Sequence, residues 1–525
     1  MNFKKFVNYL PYLFYIILVI YMIQFRYKLD RYGSYFTSDG AIKIFQTVQY
    51  KENGFLSLEC LYPGKSLDLD FKNYPISYPW AIFSDELGKE KCVLEYPPFF
   101  YWLGSLLLYV IPVSLLLYLP ILFYSFAIFY FDKILQSIGF VSLFRIFIVI
   151  LSFFSFPLLT SLDYTESPLF ICFYLAGFHG ITKVTRKDFQ FNLYQLLGIG
   201  GFFGLAFLLR LEVLIPFAFL LSLFLLSYKE IKPFILVSIG FLLVSLFFVL
   251  YNLKVSGHPL GFRYVSSIDQ NQNSNSDFVD RLLLLKAYLW GDKVMVGIFQ
   301  FNPVVYFLLI GSLFLRLLNG NNKSGNLFLF AGLMSIICIP FYVTFYGGVG
   351  YFGLRYLEAP YFLIVIGFGY YAQALNKFRK TSIKFALFVF FGIIFYFNLL
   401  TTREGLKVLR SSSVDLSTLH KSFDRAERFV IHTSLYSSIW MGKSFLEKIH
   451  VLTTTTDSFH QYLSNIKKGE EFVVLETSKN IYISSDIPEK LHNKYLTSVN
   501  IKSDKIEILE ESEIFGMKRY VAKKK

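Results

Sequence analysis

The chain is poor in charge and nearly free of cysteine. Charged residues are 17% of its 525 residues, against 54% hydrophobic and 20% aromatic. Four cysteines in that length exclude a disulfide-stapled scaffold. The seven histidines show no HxxxH or HExxH spacing, so no metal-ligand set is legible. No Walker sequence, GxGxxG or GxSxG stands in a strand–turn–helix setting, which removes the common nucleotide loops and the nucleophile elbow. The net charge of +14 comes without an arginine-rich stripe interleaved with aromatics, so nucleic acid is not an expected partner. No small-residue cleavage site follows the first apolar run. Gln24, Phe25 and Arg26 come next, and the run reads as an uncleaved signal anchor. Internal repeats and low-complexity linkers are also missing.

Present instead are apolar runs of about 16–22 residues, each long enough to cross a hydrocarbon core of about 30 Å. The pattern predicts an α-helical polytopic membrane protein. About eleven spans are expected, near 6–24, 115–131, 146–161, 168–182, 195–209, 213–228, 234–251, 303–315, 326–346, 359–374 and 385–400. Lys4 and Lys5 put the N-terminus in the cytoplasm, and the basic loops TKVTRK, 182–187, and NKFRKTSIK, 376–384, fall on the same side. The stretch 96–131 is too long for one span and is punctuated by Pro112 and Pro120. It reads as two full spans or as an interfacial segment, 97–113, followed by one span. The second reading keeps the later basic loops inside. Loops 25–96 and 252–300 are then long and external.

The tail, 401–525, changes character: charge rises and the apolar runs shorten. EEFVVLE, 470–476, and KIEILEE, 505–511, predict strands. Residues 412–430 predict an amphipathic helix. The expected organisation is a transmembrane domain over 1–400 and a small extracytoplasmic α/β domain over 401–525. Cys60 and Cys92 flank one polar loop. They form a disulfide if that loop is outside the cytoplasm, and are two free thiols otherwise. Cys172 and Cys338 sit in apolar runs and read as small core residues.

The external face gathers ionisable residues at the membrane boundary. Asp39 lies in the loop after span one, Asp163 and Glu166 at the tip between spans three and four, Arg210 and Glu212 at the next tip, and Arg355 before span ten. Such residues are costly at a bilayer and default to functional candidates, the bland alternative being charges solvated by headgroups. Together they suit sugar transfer from a lipid phosphate. A carboxylate takes the proton of an attacking hydroxyl, and a guanidinium offsets the charge growing on a leaving phosphate.

At this point the sequence resembles the GT-C class of membrane glycosyltransferases, in the branch of protein O-mannosyltransferases and lipid A aminoarabinose transferases. The likeness covers about 1–400. It rests on TSDGA around Asp39, EYPPFFYWLGS over 95–105, DYTES over 163–167, LRLEVLIP over 209–216, YNLKVSGHPL over 251–260 and GLRYLEAP over 353–360. The resemblance implies that Asp39 is the catalytic base or orients the acceptor, that Glu95 lies near it, and that Asp163 and Glu166 line the site. It implies Arg355 as the donor-phosphate contact, with Arg210 second. Family members often carry a second acid directly after the first. Here Gly40 follows Asp39, so metal independence is expected and no cofactor is implied. The expected activity is an inverting transfer from a polyprenyl-phosphate-linked sugar to a protein, lipid or glycan acceptor, in the bacterial inner membrane. An O-antigen polymerase or ligase is the competing enzyme reading. A lipid or sugar transporter is the competing non-enzyme, disfavoured by the almost uncharged span centres and the lack of two-fold sequence symmetry.

Overall fold

The computed structural model describes residues 3–525 except 31–37, 58–59, 77–80, 84–91, 95, 186–190, 262–277, 293–294, 302, 320–321, 343–352, 374–380, 427, 478–498 and 515. The helices that matter below are α1 (Phe3–Asp30), α2 (Ser38–Asn53), α3 (Pro98–Leu107), α4 (Leu119–Ile138), α5 (Ser142–Phe153), α6 (Phe156–Ser161), α7 (Ser167–Val184), α8 (Leu193–Leu209), α9 (Leu214–Tyr228), α10 (Ile231–Ser256), α11 (Lys323–Tyr342), α12 (Glu358–Ala372), α13 (Thr381–Phe423) and α14 (Thr456–Leu463).

Apolar runs become helices because only a helix satisfies every backbone group within its own segment in lipid. Among the described residues, five helical stretches are long and apolar enough to cross a membrane: Tyr9–Leu29, Val113–Ile138, Leu211–Tyr228, Ile231–Val255 and Lys323–Tyr342. They correspond to the expected spans one, two, six, seven and nine. Phe144–Phe153 and Leu193–Leu209 are apolar but shorter. Of the ambiguous stretch 96–131, the part from Val113 belongs to a helical stretch long and apolar enough to cross a membrane, and α3 is a separate, shorter helix. Pro98 starts α3, whose 10 residues reach only about 15 Å, and the candidate span begins after Pro112.

The chain forms two compact units. The first comprises Met1–Gln24, Tyr118–Leu260 and Asn275–Leu406. Within it α4 lies against α7, α8 against α10, and α11 against α12. The expected third span, 146–161, is broken: α5 ends at Phe153 and α6 starts at Phe156 with Pro157 in its first turn. A proline there cannot continue the preceding helix. The carbonyls so released are taken up by side chains. Asn398 Nδ2 donates to Leu151 O at 3.0 Å, Thr402 Oγ1 to Phe154 O at 3.1 Å, and Tyr124 OH to Phe153 O at 2.5 Å. This repair makes a kink affordable in an apolar layer, and the kink delivers the acidic tip that follows α6.

The second unit comprises Phe25–Leu117, Gly261–Ser274 and Lys407–Lys525. In the first long loop Asp68 acts as a hub: it accepts from the backbone N–H of Lys72 and Asn73 at 3.0 and 2.7 Å and from Tyr62 OH at 3.0 Å. Cys60 is disulfide-bonded, while Cys172 and Cys338 carry free thiols. Cys92 stands in the short strand Cys92–Leu94, but its side chain is outside the described set.

The tail holds a small sheet, as the strand patterns suggested. Strands β3 (Phe429–His432), β4 (Ile449–Leu452), β5 (Glu471–Thr477), β6 (Ile506–Ile514) and β7 (Met517–Lys524) follow β1 (Ala81–Phe83) and β2 (Cys92–Leu94) in the chain. They form a sheet of order β4-β3-β5-β7-β6, parallel over β4-β3-β5 and antiparallel beyond. Burial on both faces explains the apolar β3 and β4. Phe429, Ile431, Val451, Phe459 and Val474 fill one face. Leu416, Leu419, Phe423, Val430 and Val473 fill the other, with Leu29. The helix expected over 412–430 is corrected: α13 ends at Phe423, and the β-branched Val430 and Ile431 go into β3, an inner strand of the sheet. Loop and tail are one folded body. Leu452 N–H donates to Asn73 O at 2.8 Å, and the rings of Phe45 and Phe445 stand 4.5 Å apart.

Candidate active site

Arg210 follows α8 in an extended conformation and is fully enclosed. Three buried carboxylates surround its guanidinium. Nε stands 3.5 Å from Glu166 Oε1, and Nη1 stands 3.4 Å from Glu212 Oε1 and 3.5 Å from Glu358 Oε2. The same Nη1 donates to the carbonyl of Arg355 at 2.6 Å. Phe170 closes another side, its ring centroid 5.4 Å from the guanidinium carbon.

Each partner is delivered by a local feature. Glu166 stands at the residue before α7, at the tip created by the broken span, and Thr165 Oγ1 donates to its Oε2 at 3.2 Å. Glu212 sits in the 3-10 turn Leu211–Val213 that separates α8 from α9. Glu358 is the first residue of α12, directly after the 3-10 turn Gly353–Leu357 that carries Arg355. Its carboxylate is wholly buried. It accepts from Thr160 Oγ1 at 3.1 Å and from Ser167 Oγ, hydroxyls at the end of α6 and the start of α7. Buried charges persist only when paired and hydrogen-bonded, and the Glu358 carboxylate is both. The cluster sets three formal negative charges against one positive.

The structure thus brings Glu166 and Arg210 together with the backbone of Arg355. The Arg355 side chain is half-buried, its guanidinium carbon 5.4 Å from the centroid of the Tyr356 ring. Asp163 is buried in the same tip as Glu166, its Oδ1 accepting from Tyr164 N–H at 2.9 Å. Among the described residues no three His, Cys, Asp or Glu side chains are placed to hold a metal ion.

Asp39 belongs to the second unit, and its expected loop placement is corrected: it stands in the first turn of α2. Ser38 opens that turn, and unpaired N–H groups and the dipole at a helix N-terminus favour an anionic carboxylate. Residues further along α2 hold the Tyr96-Pro97-Pro98 motif: Gln46 Nε2 donates to Tyr96 O at 2.9 Å, and Lys43 Nζ lies 4.7 Å from the Tyr96 ring centroid. The acid of TSDGA and the YPP motif, separate in sequence, are therefore joined through one helix. Glu95, the residue before Tyr96, lies outside the described residues.

Two residues of these neighbourhoods were missed by sequence reasoning. Glu358 stood inside the GLRYLEAP motif, but nothing local distinguishes it from an ordinary helix-start acid. Lys43 is buried one turn after Asp39, and its 39/43 spacing on one helix face was the available signal.

No protein-family model matches this chain, and neither does any curated protein. Solved structures do match. ArnT from Cupriavidus metallidurans in the apo state aligns over 96% of this chain and 97% of that one, with 10% identity and a TM-score of 0.50. The Archaeoglobus fulgidus oligosaccharyltransferase in the apo form aligns over 90% of this chain and 70% of that one, with 11% identity and a TM-score of 0.51. The same oligosaccharyltransferase, tethered with an acceptor peptide containing the NVT sequon via a disulfide bond, gives 11% identity, the same coverage and a TM-score of 0.50. At such identity the likeness is one of fold alone.

Proposed function

We propose that this chain is an inverting glycosyltransferase that moves a sugar from a polyprenyl-phosphate-linked donor to an acceptor on the extracytoplasmic side of the membrane. The observation that carries the reading is the buried Arg210–carboxylate cluster bound to the Arg355 turn, within a GT-C fold. We further read about eleven spans, a cytoplasmic N-terminus, an extracytoplasmic tail and a bacterial inner membrane. The positive-inside pattern supports this orientation. The common unit formed by the first loop and the tail fits it as well.

In the reaction the acceptor hydroxyl oxygen attacks the anomeric carbon from the face opposite the phosphate. Asp39 takes the hydroxyl proton as the new C–O bond forms. The bond from the anomeric carbon to the phosphate oxygen breaks, its electron pair leaves with the polyprenyl phosphate, and the configuration inverts. Arg355 offsets the charge developing on that phosphate, with Arg210 as the second candidate. Glu95, Asp163 and Glu166 orient the acceptor and sugar hydroxyls. The position of Asp39 in the first turn of the helix that also holds the YPP motif supports the assignment.

The test is the glycan and glycolipid profile of cells carrying Asp39→Ala against wild type at matched protein level. A lost sugar together with accumulated polyprenyl-phosphate sugar is the expected result, and it names the donor. Consumption of a lipid-linked oligosaccharide instead points to a polymerase or ligase. An unchanged profile removes Asp39 as the base.

A further inference from the structure

Arg210 was a candidate phosphate contact, yet its guanidinium is already engaged on several sides by protein groups. Its Nη1 donates to the Arg355 carbonyl and the Glu358 carboxylate and also stands 3.4 Å from Glu212 Oε1. Arg355 and Glu358 are three residues apart, across the junction between the Gly353–Leu357 turn and α12. Glu358 is in turn fixed by hydroxyls from Thr160 and Ser167, on elements remote in sequence.

We propose that Glu358 is a positioning residue: through Arg210 it locks the backbone of the Arg355 turn, so that the Arg355 guanidinium is held ready for the donor phosphate. The inference rests on the phosphate-contact role proposed above for Arg355. The physical reason is preorganisation. A turn that carries a cation is useful for phosphate recognition only if its backbone is fixed before the ligand arrives. A 3-10 turn of 5 residues offers few internal hydrogen bonds, and the Arg355 carbonyl relies on an outside donor. Arg210 is that donor, and the buried Glu358 carboxylate keeps Arg210 aimed. Neutralising Glu358 removes one of the two carboxylates at Nη1 and leaves that nitrogen shared between Glu212 and the Arg355 carbonyl, with Glu166 drawing on Nε.

The test uses the full chain in nanodiscs and two probes, undecaprenyl phosphate and undecaprenol, which differ only in the phosphate. For Glu358→Gln the expected result is at least a ten-fold loss of undecaprenyl phosphate affinity, with undecaprenol affinity and melting temperature close to wild type. An equal loss for both lipids marks a purely architectural role and overturns the proposal, as does unchanged phosphate affinity. Arg355→Ala separates the two levels. If it leaves phosphate affinity unchanged, the phosphate-contact reading itself fails. If it weakens phosphate binding while Glu358→Gln does not, only the positioning role fails. Should Glu358→Gln not fold, Ser167→Ala and Thr160→Val each remove one donor to the same carboxylate. They are expected to weaken phosphate affinity several-fold and leave undecaprenol affinity alone; no effect from either overturns the proposal.

Discussion

Arg210 shows how one side chain can depend on its whole surroundings. Three carboxylates share it, and removing the guanidinium would leave them buried together without a cation. Breaking a buried ion pair from one side costs about 3–5 kcal/mol, most of it from the charge left behind. Arg210→Met is therefore expected to lower thermal stability strongly, whereas Arg210→Lys keeps the charge and costs less. Melting temperatures of the detergent-purified variants measure this, and equal loss from both would mean that shape rather than charge is needed. The sequence allowed Arg210, Glu166 and Asp163 to be singled out, because ionisable residues beside apolar runs are conspicuous. It could not pair them. Glu358 meets Arg210 across 148 positions of chain, a separation that carries no periodic signal.

Among the elements, α8 and α10 approach so closely that glycine is required at the crossing. A Cβ on Gly200 would stand 1.9 Å from the Val237 carbonyl oxygen, and one on Gly240 would stand 2.1 Å from that of Leu197. Such backbone approach drives helix association where lipid removes the hydrophobic contrast. Gly240→Val is expected to force the helices apart and to reduce the yield of folded protein sharply. Gly198→Ala, with nothing within 4 Å of its Cβ, is expected to be silent or slightly stabilising. Size-exclusion profiles and melting curves of the pair decide the matter; comparable damage from both would sink the packing argument. The apolar runs were readable as helices, but their ends were set by other parts of the fold. The break at Phe154 follows Pro157, while its tolerance comes from Asn398 and Thr402, about 250 positions away. Similarly, α13 reads as a span and a separate amphipathic helix, yet it runs unbroken over Thr381–Phe423. No proline or glycine cluster interrupts it after the span, and the sheet's need for Val430 and Ile431 stops it.

At the scale of the molecule, the tail contains a buried histidine group that makes its stability depend on pH. His432 Nε2 lies 2.9 Å from His450 Nδ1, His450 Nε2 lies 2.8 Å from Ser444 Oγ, and His420 Nε2 lies 3.0 Å from the Trp440 carbonyl. Burial lowers all three, His432 to about 3, and His450 is lowered further by its histidine neighbours. A base whose folded value lies below its unfolded value of about 6.5 binds protons on unfolding. The stabilising effect is complete above about pH 6.5 and is lost as pH falls toward 3, by about 1.4 kcal/mol per pH unit for His432. Hydrogen exchange of the β3 and β4 amides, corrected for intrinsic rates, should show weaker protection at pH 5 than at pH 7.5. Equal protection would exclude neutral buried imidazoles.

The sequence by itself determined which runs are apolar enough to enter lipid, where basic residues gather, and where charge rises and apolar runs shorten toward the tail. These are local properties, since hydropathy and charge act over one helix or strand at a time. It also carried a resemblance to the GT-C class, while identity with the solved structures of similar fold is 10–11%. Only the tertiary structure decided which acids face Arg210, that Asp39 opens a helix tied to the YPP motif, and that the first loop and the tail fold as one body. Those outcomes depend on contacts between segments tens to hundreds of residues apart. Their free energy comes from mutual burial, and no single segment carries it alone.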